Sequence, residues 1–183
     1  MSTAPAFADV TEAMDLARAA LGYLAAADAA SLTAESQAEC LLGLEQTDAI
    51  STAARASFLS VFTVGKGYSA DADYSARAWL MHKTGITRGA AASHTAWASW
   101  AATHPRVVAA LVTGDLSESY GRAICQWTDK LPVKFRDESD ELLIAAAAAG
   151  LALRDWARCS PRCMSGPGHP PPRPGPTAPP ARR

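Results

Sequence analysis

Alanine is the feature of this sequence that most limits the folds it can adopt. The chain has 183 residues, and 41 of them are alanine, nearly half of its apolar set. Alanine has the highest helix propensity of the common residues but buries little area per side chain. Such a composition favours closely packed helices and argues against a β-sandwich or barrel. We therefore predict an all-α fold with a thin, alanine-rich core.

Capping residues and glycines divide the chain into a long N-terminal helical pair and a cluster of short helices. The first helix is predicted over residues 11–28, and the second begins after Thr33 and continues to Gly65. Shorter helices are predicted over 74–83 with Asp73 as the cap, 88–103, 105–113, 118–131 and 137–158. Strand patterns are nearly absent along the whole sequence.

A different composition begins at Cys159. Nine of the twelve prolines lie between Pro161 and Pro180, and no aromatic or branched aliphatic residue follows Trp156. We therefore predict a helical domain over 10–158 and a disordered Pro/Gly/Arg-rich tail over 159–183. One hypothesis is that the tail is an out-of-frame translation of GC-rich DNA, which would make the chain a truncated product. The alternative is a genuine tail that binds acidic partners or proline-recognition modules.

Charge is unevenly distributed along the chain. The formal net charge is only −1, yet residues 1–76 carry −7 and residues 77–136 carry +5. The average excludes a uniformly basic nucleic-acid-binding protein, whereas the basic segment 77–136 is a possible contact region for DNA phosphates.

No membrane-spanning run or secretory signal is recognisable, so we predict a cytoplasmic protein with no membrane partner. Cys40 and Cys125 lie in helical patterns and are expected to be small buried apolar residues. Cys159 and Cys163 lack the further ligands that a zinc site needs. We therefore predict neither a disulfide framework nor a cofactor.

No active site is predicted from the sequence. The four histidines, His82, His94, His104 and His169, do not lie beside a carboxylate or cysteine at a spacing typical of a site. His104 is expected to begin a helix ahead of Pro105. The acidic group Asp137, Glu138, Asp140 and Glu141 is expected to be a solvated helix start. We therefore predict that the chain is not an enzyme.

Residues 75–95 have the outline of a helix-turn-helix, with Leu80 and Ile86 apolar around Gly85. Thr84 and His94 occupy positions that aliphatic residues usually fill, so an ordinary pair of packed helices, with Trp97 and Trp100 in the core, is the favoured interpretation of the motif alone. If nucleic acid binds, the expected non-catalytic contacts are Lys83, Arg88, Arg106 and Arg122.

A series of short motifs resembles a known family. The motifs are Ala78-Trp79-Leu80, Thr84-Gly85-Ile86-Thr87-Arg88-Gly89-Ala90-Ala91, His104-Pro105, Val108-Ala109-Ala110-Leu111, Gly114-Asp115-Leu116-Ser117, Arg122-Ala123-Ile124 and Leu131-Pro132. In this order they resemble the actinobacterial domain of unknown function 222 of 13E12-repeat proteins, over about residues 10–155.

The resemblance implies an all-helical N-terminal module that an HNH endonuclease module commonly follows, and an association with mobile or repeated DNA. It supplies no catalytic residues for this domain. The sequence departs from the family at its C-terminus, because residues 150–155 lead directly into the Pro/Arg tail and no adjacent histidine pair exists. Nuclease activity is therefore not expected of this chain.

Two functions from different classes follow from these observations. The first is a DNA-associated accessory module, truncated from an HNH endonuclease-type protein. The second is an interaction or oligomerisation module that uses the long N-terminal helix and its stripe of Ile50, Phe58 and Phe62. A nonfunctional truncated product is the third possibility.

Overall fold

A computed structural model gives the structure of residues 7–151, and within them every regular element is helical. The α-helices are α1 (Val10–Ala26), α2 (Ala34–Val64), α3 (Ala76–Thr84), α4 (Arg88–Thr103), α5 (Pro105–Thr113), α6 (Glu118–Thr128) and α7 (Val133–Ala148). The predicted all-α class, with a long N-terminal pair followed by shorter helices, is confirmed. The predicted tail over 159–183 lies outside the described residues. The last helix, predicted to continue to residue 158, instead ends at Ala148, and Gly150 just beyond it has a left-handed φ of 79°.

The chain divides into two compact units, residues 1–45 and 46–183. In the first unit, α1 is capped by Asp9, whose side chain accepts a hydrogen bond of 2.9 Å from the Glu12 backbone N–H. The link to α2 is a short 3-10 turn, Ala29–Ser31, and the Gln37 side chain donates to the Ala29 carbonyl oxygen at 2.8 Å. No residue of this unit is buried within the part that the structure describes.

The second unit contains two groups of buried apolar side chains. The larger comprises Ala49, Ala53, Ala56, Trp97, Val107, Leu111, Leu116, Ile124 and Cys125. The smaller comprises Leu59, Ala76, Leu80, Ala91 and Ala98. Six of these fourteen residues are alanine, so the core is as alanine-rich as the composition predicts.

Gly121 shows how closely the helices of this core approach one another. A Cβ atom at this position of α6 would lie 3.0 Å from Trp97 Cη2 and 3.3 Å from Val107 Cγ1. Both distances are shorter than ordinary van der Waals contacts, so the position accepts hydrogen but resists any larger group.

Local signals place most helix ends correctly. Thr87 and Ser117 cap α4 and α6 as predicted, accepting hydrogen bonds of 3.3 and 3.4 Å from the backbone N–H groups of Ala90 and Tyr120. Gly85 and Gly114 end α3 and α5 in the left-handed region, with φ of 68° and 75°. Glycine adopts these angles without a Cβ clash, which explains why both residues terminate helices.

Three further local predictions are wrong. Ser75, rather than Asp73, caps α3, because its side chain accepts the hydrogen bond from the Ala78 backbone N–H at 3.1 Å. The last helix begins at Val133 rather than Asp137, since Pro132 already has a backbone conformation that suits the residue before a helix. Cys40 is exposed, whereas Cys125 is buried as predicted.

Candidate functional site

A buried ionic cluster surrounds His104, which sits between α4 and α5 and is fully enclosed. Its Nδ1 atom lies 2.8 Å from Asp140 Oδ2, and its Nε2 atom lies 3.2 Å from Asp129 Oδ1. Asp140 belongs to α7, and Asp129 directly follows α6. The imidazole therefore links the ends or faces of four helices in the second unit.

The prediction for Asp140 is wrong, whereas the predicted position of His104 directly ahead of α5 is confirmed. Asp140 was expected in a solvated helix start, but it is only 1% exposed. Because α7 begins four residues earlier than predicted, Asp140 lies two turns into the helix and faces inward. His104 does precede α5, but its side chain makes no capping hydrogen bond and binds carboxylates instead.

Further side chains complete the cluster around Asp129. The Trp100 indole N–H donates to Asp129 Oδ2 at 2.8 Å, and Arg136 Nη2 lies 3.4 Å from Asp129 Oδ1. Partial burial raises the pKa of Asp129, but the hydrogen bonds from Trp100 and His104 outweigh it and leave that pKa below its usual value. Both ring nitrogens of His104 face carboxylate oxygens, so only the doubly protonated imidazole can donate to both.

This arrangement suits a structural role better than catalysis. A general base must reach the proton that it removes, and His104 has no exposed surface. Burial, followed by the nearby Asp140 and Asp129 carboxylates, raises the pKa of the Cys125 thiol and keeps it protonated and unreactive. No group of His, Cys, Asp or Glu between residues 7 and 151 is arranged to hold a metal ion.

A second cluster joins α4 and α6 through Glu118. The Trp97 indole N–H donates to Glu118 Oε1 at 2.8 Å, and Arg122 Nε donates to the same oxygen at 3.1 Å. Arg122 Nη2 also donates to Ser93 Oγ at 2.6 Å, and its guanidinium carbon lies 5.9 Å from the Trp97 ring centre. Burial raises the pKa of Glu118, but the hydrogen bonds from Arg122 and Trp97 outweigh this effect. The pKa of Glu118 therefore lies below its usual value.

A third cluster repeats the same chemistry near α3. The Trp79 indole N–H donates to Asp71 Oδ2 at 2.7 Å, and Lys83 Nζ donates to the other carboxylate oxygen. The hydrogen bonds from Lys83 and Trp79 lower the pKa of Asp71. In all three clusters, therefore, one carboxylate accepts a hydrogen bond from an indole N–H and forms an ion pair with a cationic side chain.

Three of the four predicted DNA contacts are held in ion pairs within the chain. Lys83 pairs with Asp71 and Arg122 pairs with Glu118. Arg106 lies 2.8 Å from Asp137 and 3.1 Å from Glu141. Much of the positive charge of residues 77–136 is therefore neutralised by carboxylates of the same unit.

Arg88, the fourth predicted contact, is exposed at the first turn of α4 and forms no ion pair with any residue in the 7–151 range. Arg77 Nη2 donates to the Arg88 backbone carbonyl at 3.2 Å, so two guanidinium groups lie near the start of this helix. The exposed positions further along α4 include Gly89, Ser99 and Ala102, which offer few groups that could read base edges.

Residues 46–64 of α2, which belong to the second unit, present an exposed apolar face without charged side chains. We define the α2 outer face as Ile50, Ala54, Ser57, Phe58, Val61 and Val64, all of which are exposed. Val61 and Val64 are 73% and 83% exposed. The opposite side of the same helix contributes Ala49, Ala53 and Ala56 to the core.

Only two charged residues, Asp48 and Arg55, occur in α2 between residues 46 and 64. At 100° per residue, both lie more than a quarter turn from the centre of the α2 outer face. Phe62, expected on this stripe, instead packs against Trp79 with ring centres 4.6 Å apart. The signal that identifies the face is the 4-3-4-3 spacing of Ile50, Ala54, Ser57, Val61 and Val64.

A second exposed apolar stripe occurs on α1. We define the α1 stripe as Val10, Met14, Ala17, Leu21 and Leu24, which are also spaced four, three, four and three residues apart. The large members are 43–60% exposed. Leu16 lies on another side of α1 together with Tyr23.

A shallow cavity of about 220 Å³ is lined by Asp115, Leu116, Ser117, Tyr120 and Ala147. This volume is below the range typical of small-molecule sites, roughly 300–1,000 Å³.

Among the helices described from residue 7 to residue 151, none combines the length and apolar content needed to cross a membrane.

No protein-family model, curated protein or solved structure matches this chain. The resemblance to the domain of unknown function 222 therefore stays a prediction.

Proposed function

We propose that this protein is a helical association module that pairs with a second copy of itself through the α2 outer face. The observation that carries the proposal is the absence of charge from an exposed apolar face of about four turns in a helix whose other side forms the core. Covering Ile50, Phe58, Val61 and Val64 removes apolar area from water, which favours association.

The composition of the face also favours a partner of the same sequence. Two identical faces meet without like-charge repulsion, because no charged side chain lies near the centre of either one. Ala54 and Ser57 are small and allow two helix backbones to approach closely, while Ile50 and Val61 supply the apolar contacts. A single helix pair buries less than the ~1,200 Å² typical of stable interfaces, so we expect a weak dimer.

Sedimentation equilibrium of the full chain over a range of concentrations tests the proposal. We expect a monomer–dimer equilibrium, and we expect Val61→Glu to weaken it by about tenfold or more, because the substitution places two carboxylates in one apolar contact. Val112→Glu is the matched control, since Val112 is another exposed valine, on α5, at 57% exposure against 73% for Val61. A strict monomer, or equal effects of the two substitutions, would contradict the proposal.

Nucleic-acid association is a second candidate function, and a specific observation favours it. Arg88 is exposed at the first turn of α4, just after the Gly85 turn, and forms no ion pair with residues 7–151. Arg77 lies beside it. Guanidinium groups at a helix N-terminus are suited to phosphate contacts. The resemblance to a module that accompanies HNH endonucleases supports the same accessory, non-catalytic role.

A salt titration of binding to duplex DNA tests this second candidate. We expect weak binding at low salt that falls as salt rises, and a loss of affinity in the double variant Arg77→Ala, Arg88→Ala. Arg106→Ala is the control, because Arg106 is already paired with two carboxylates. No binding at low salt would refute nucleic-acid association without affecting the dimer proposal.

A further inference from the structure

The α1 stripe differs from the α2 outer face in its electrostatic surroundings. Residues 7–45 carry seven acidic side chains, namely Asp9, Glu12, Asp15, Asp28, Glu35, Glu39 and Glu45. Their only basic side chain is Arg18, and it already pairs with Asp15 at 2.7 Å. The formal charge of this unit is therefore −6, whereas residues 46–64 of α2 are neutral.

The unit also lacks the buried contacts that would hold its helices in place. None of its described residues is buried, and Leu41 and Leu42 at the start of α2 are 65% and 68% exposed. A helix of 17 residues is marginally stable in water without tertiary packing. An apolar stripe on such a helix gains stability when a partner covers it.

We propose that the α1 stripe docks a basic amphipathic helix of another protein, with apolar residues facing the stripe and Lys or Arg along its flanks. The 4-3-4-3 spacing fits the seam of a partner helix, and the charge of −6 selects a partner of opposite sign. A second copy is the wrong partner for this surface, because each copy would bring the same charge of −6 to the contact. This inference is independent of self-association through the α2 outer face.

The inference is tested with three labelled peptides of about 21 residues, each with Leu at the a and d positions of three heptads. Their e and g positions carry Lys in the first, Gln in the second and Glu in the third. Fluorescence anisotropy with the full chain at low salt should show the Lys peptide binding at least about tenfold more tightly than the Glu peptide. The preference should shrink at high salt, since surface charges are screened.

Substitutions on α1 locate the contact. The double variant Met14→Ser, Leu21→Ser should lose about tenfold or more in affinity for the Lys peptide. The matched control is Leu16→Ser, Tyr23→Ser, which removes exposed apolar groups from another side of the same helix. Glu35→Gln with Glu39→Gln should weaken binding of the Lys peptide but not that of the Gln peptide.

The outcomes separate the parts of the inference. Equal affinities for the Lys, Gln and Glu peptides would overturn the basic partner. Equal losses in the two double variants would overturn the α1 stripe as the surface. If Met14→Ser, Leu21→Ser instead abolished self-association of the chain in sedimentation experiments, the occupant would be a second copy and the inference would be wrong. Binding of the Lys peptide that persists in Val61→Glu confirms that the two surfaces are separate.

Discussion

Residues 7–45 and residues 46–151 are both alanine-rich and helical, but they differ in how their side chains are packed. The first region has capped helices but no buried side chain, so its order depends on local hydrogen bonds such as those made by Asp9 and Gln37. The second region buries six alanines, and it also contains ion pairs and tryptophans that donate hydrogen bonds to carboxylates. Helix-forming sequence therefore gives helices in both regions, whereas only the second region also packs apolar side chains from distant helices into a core.

The comparison predicts that the largest loss of stability comes from the His104 cluster. His104→Ala leaves the Asp140 carboxylate buried and without its partner, and we expect a loss of about 3–5 kcal/mol in the free energy of unfolding. Urea denaturation measures the effect. His82→Ala is the control, because the His82 side chain is 69% exposed. A loss below 1 kcal/mol would show that the cluster does not hold the second region together.

Substitutions at two helical glycines should have opposite signs. Gly121→Val places methyl groups against Trp97 and Val107, and we expect a loss of about 1–3 kcal/mol through overpacking. Gly22→Ala in α1 meets no atom within 4 Å, and we expect α1 to gain up to about 1 kcal/mol in helix stability. Thermal unfolding of the first variant and helicity by circular dichroism of the second check the pair. Destabilisation by both would contradict the comparison.

Acid should destabilise the second region once the pH falls into the ordinary range of carboxyl titration in unfolded chains. The folded state lowers the pKa values of Asp129 and Glu118, so the unfolded chain binds more protons as the pH falls below about 4. The stabilisation is complete above the unfolded pKa values and is lost as the pH falls toward the folded ones. Asp129→Asn should flatten this pH dependence of unfolding, and an unchanged slope would contradict the assignment.

The smallest effect is expected on the α1 stripe. Leu21→Ser removes an exposed side chain, so we expect the unfolding free energy of the second region to change by less than about 0.5 kcal/mol. Urea denaturation of this variant and of the parent chain makes the comparison. A loss comparable with that of Gly121→Val would mean that Leu21 has a structural rather than a binding role.

Local chemistry made much of the fold predictable. Thr87, Ser117, Gly85 and Gly114 act on backbone groups within four residues of themselves, so their roles can be inferred from the sequence alone. One exception is the start of α7, where Pro132 and a run of acidic residues gave competing signals. The acidic run was interpreted as the helix start, and Asp140 was misplaced as a consequence.

The candidate sites were harder to predict because they depend on distant pairs. His104 and Asp140 are 36 residues apart, and no local pattern marks them as partners. Likewise, the positive charge of Arg106 looked available in the sequence, but its partners Asp137 and Glu141 belong to the distant helix α7. The pair of Arg122 with Glu118 differs, because it joins residues one turn apart in the same helix. The spacing of apolar residues along α1 and α2 can be recognised in the sequence. The sequence does not show which of these residues stay exposed to solvent after the helices pack.

The positions of the tryptophans have a practical consequence for spectroscopy. None of the five lies in residues 7–45 and four lie in residues 46–151, where Trp79, Trp97 and Trp100 donate hydrogen bonds to carboxylates. Tryptophan emission therefore follows the environment of the second region, whereas far-ultraviolet circular dichroism counts the helical peptides of both. Recording the two signals on one unlabelled sample separates the melting of residues 7–45 from that of the rest, and a bound helix at α1 would bring the two transitions closer together.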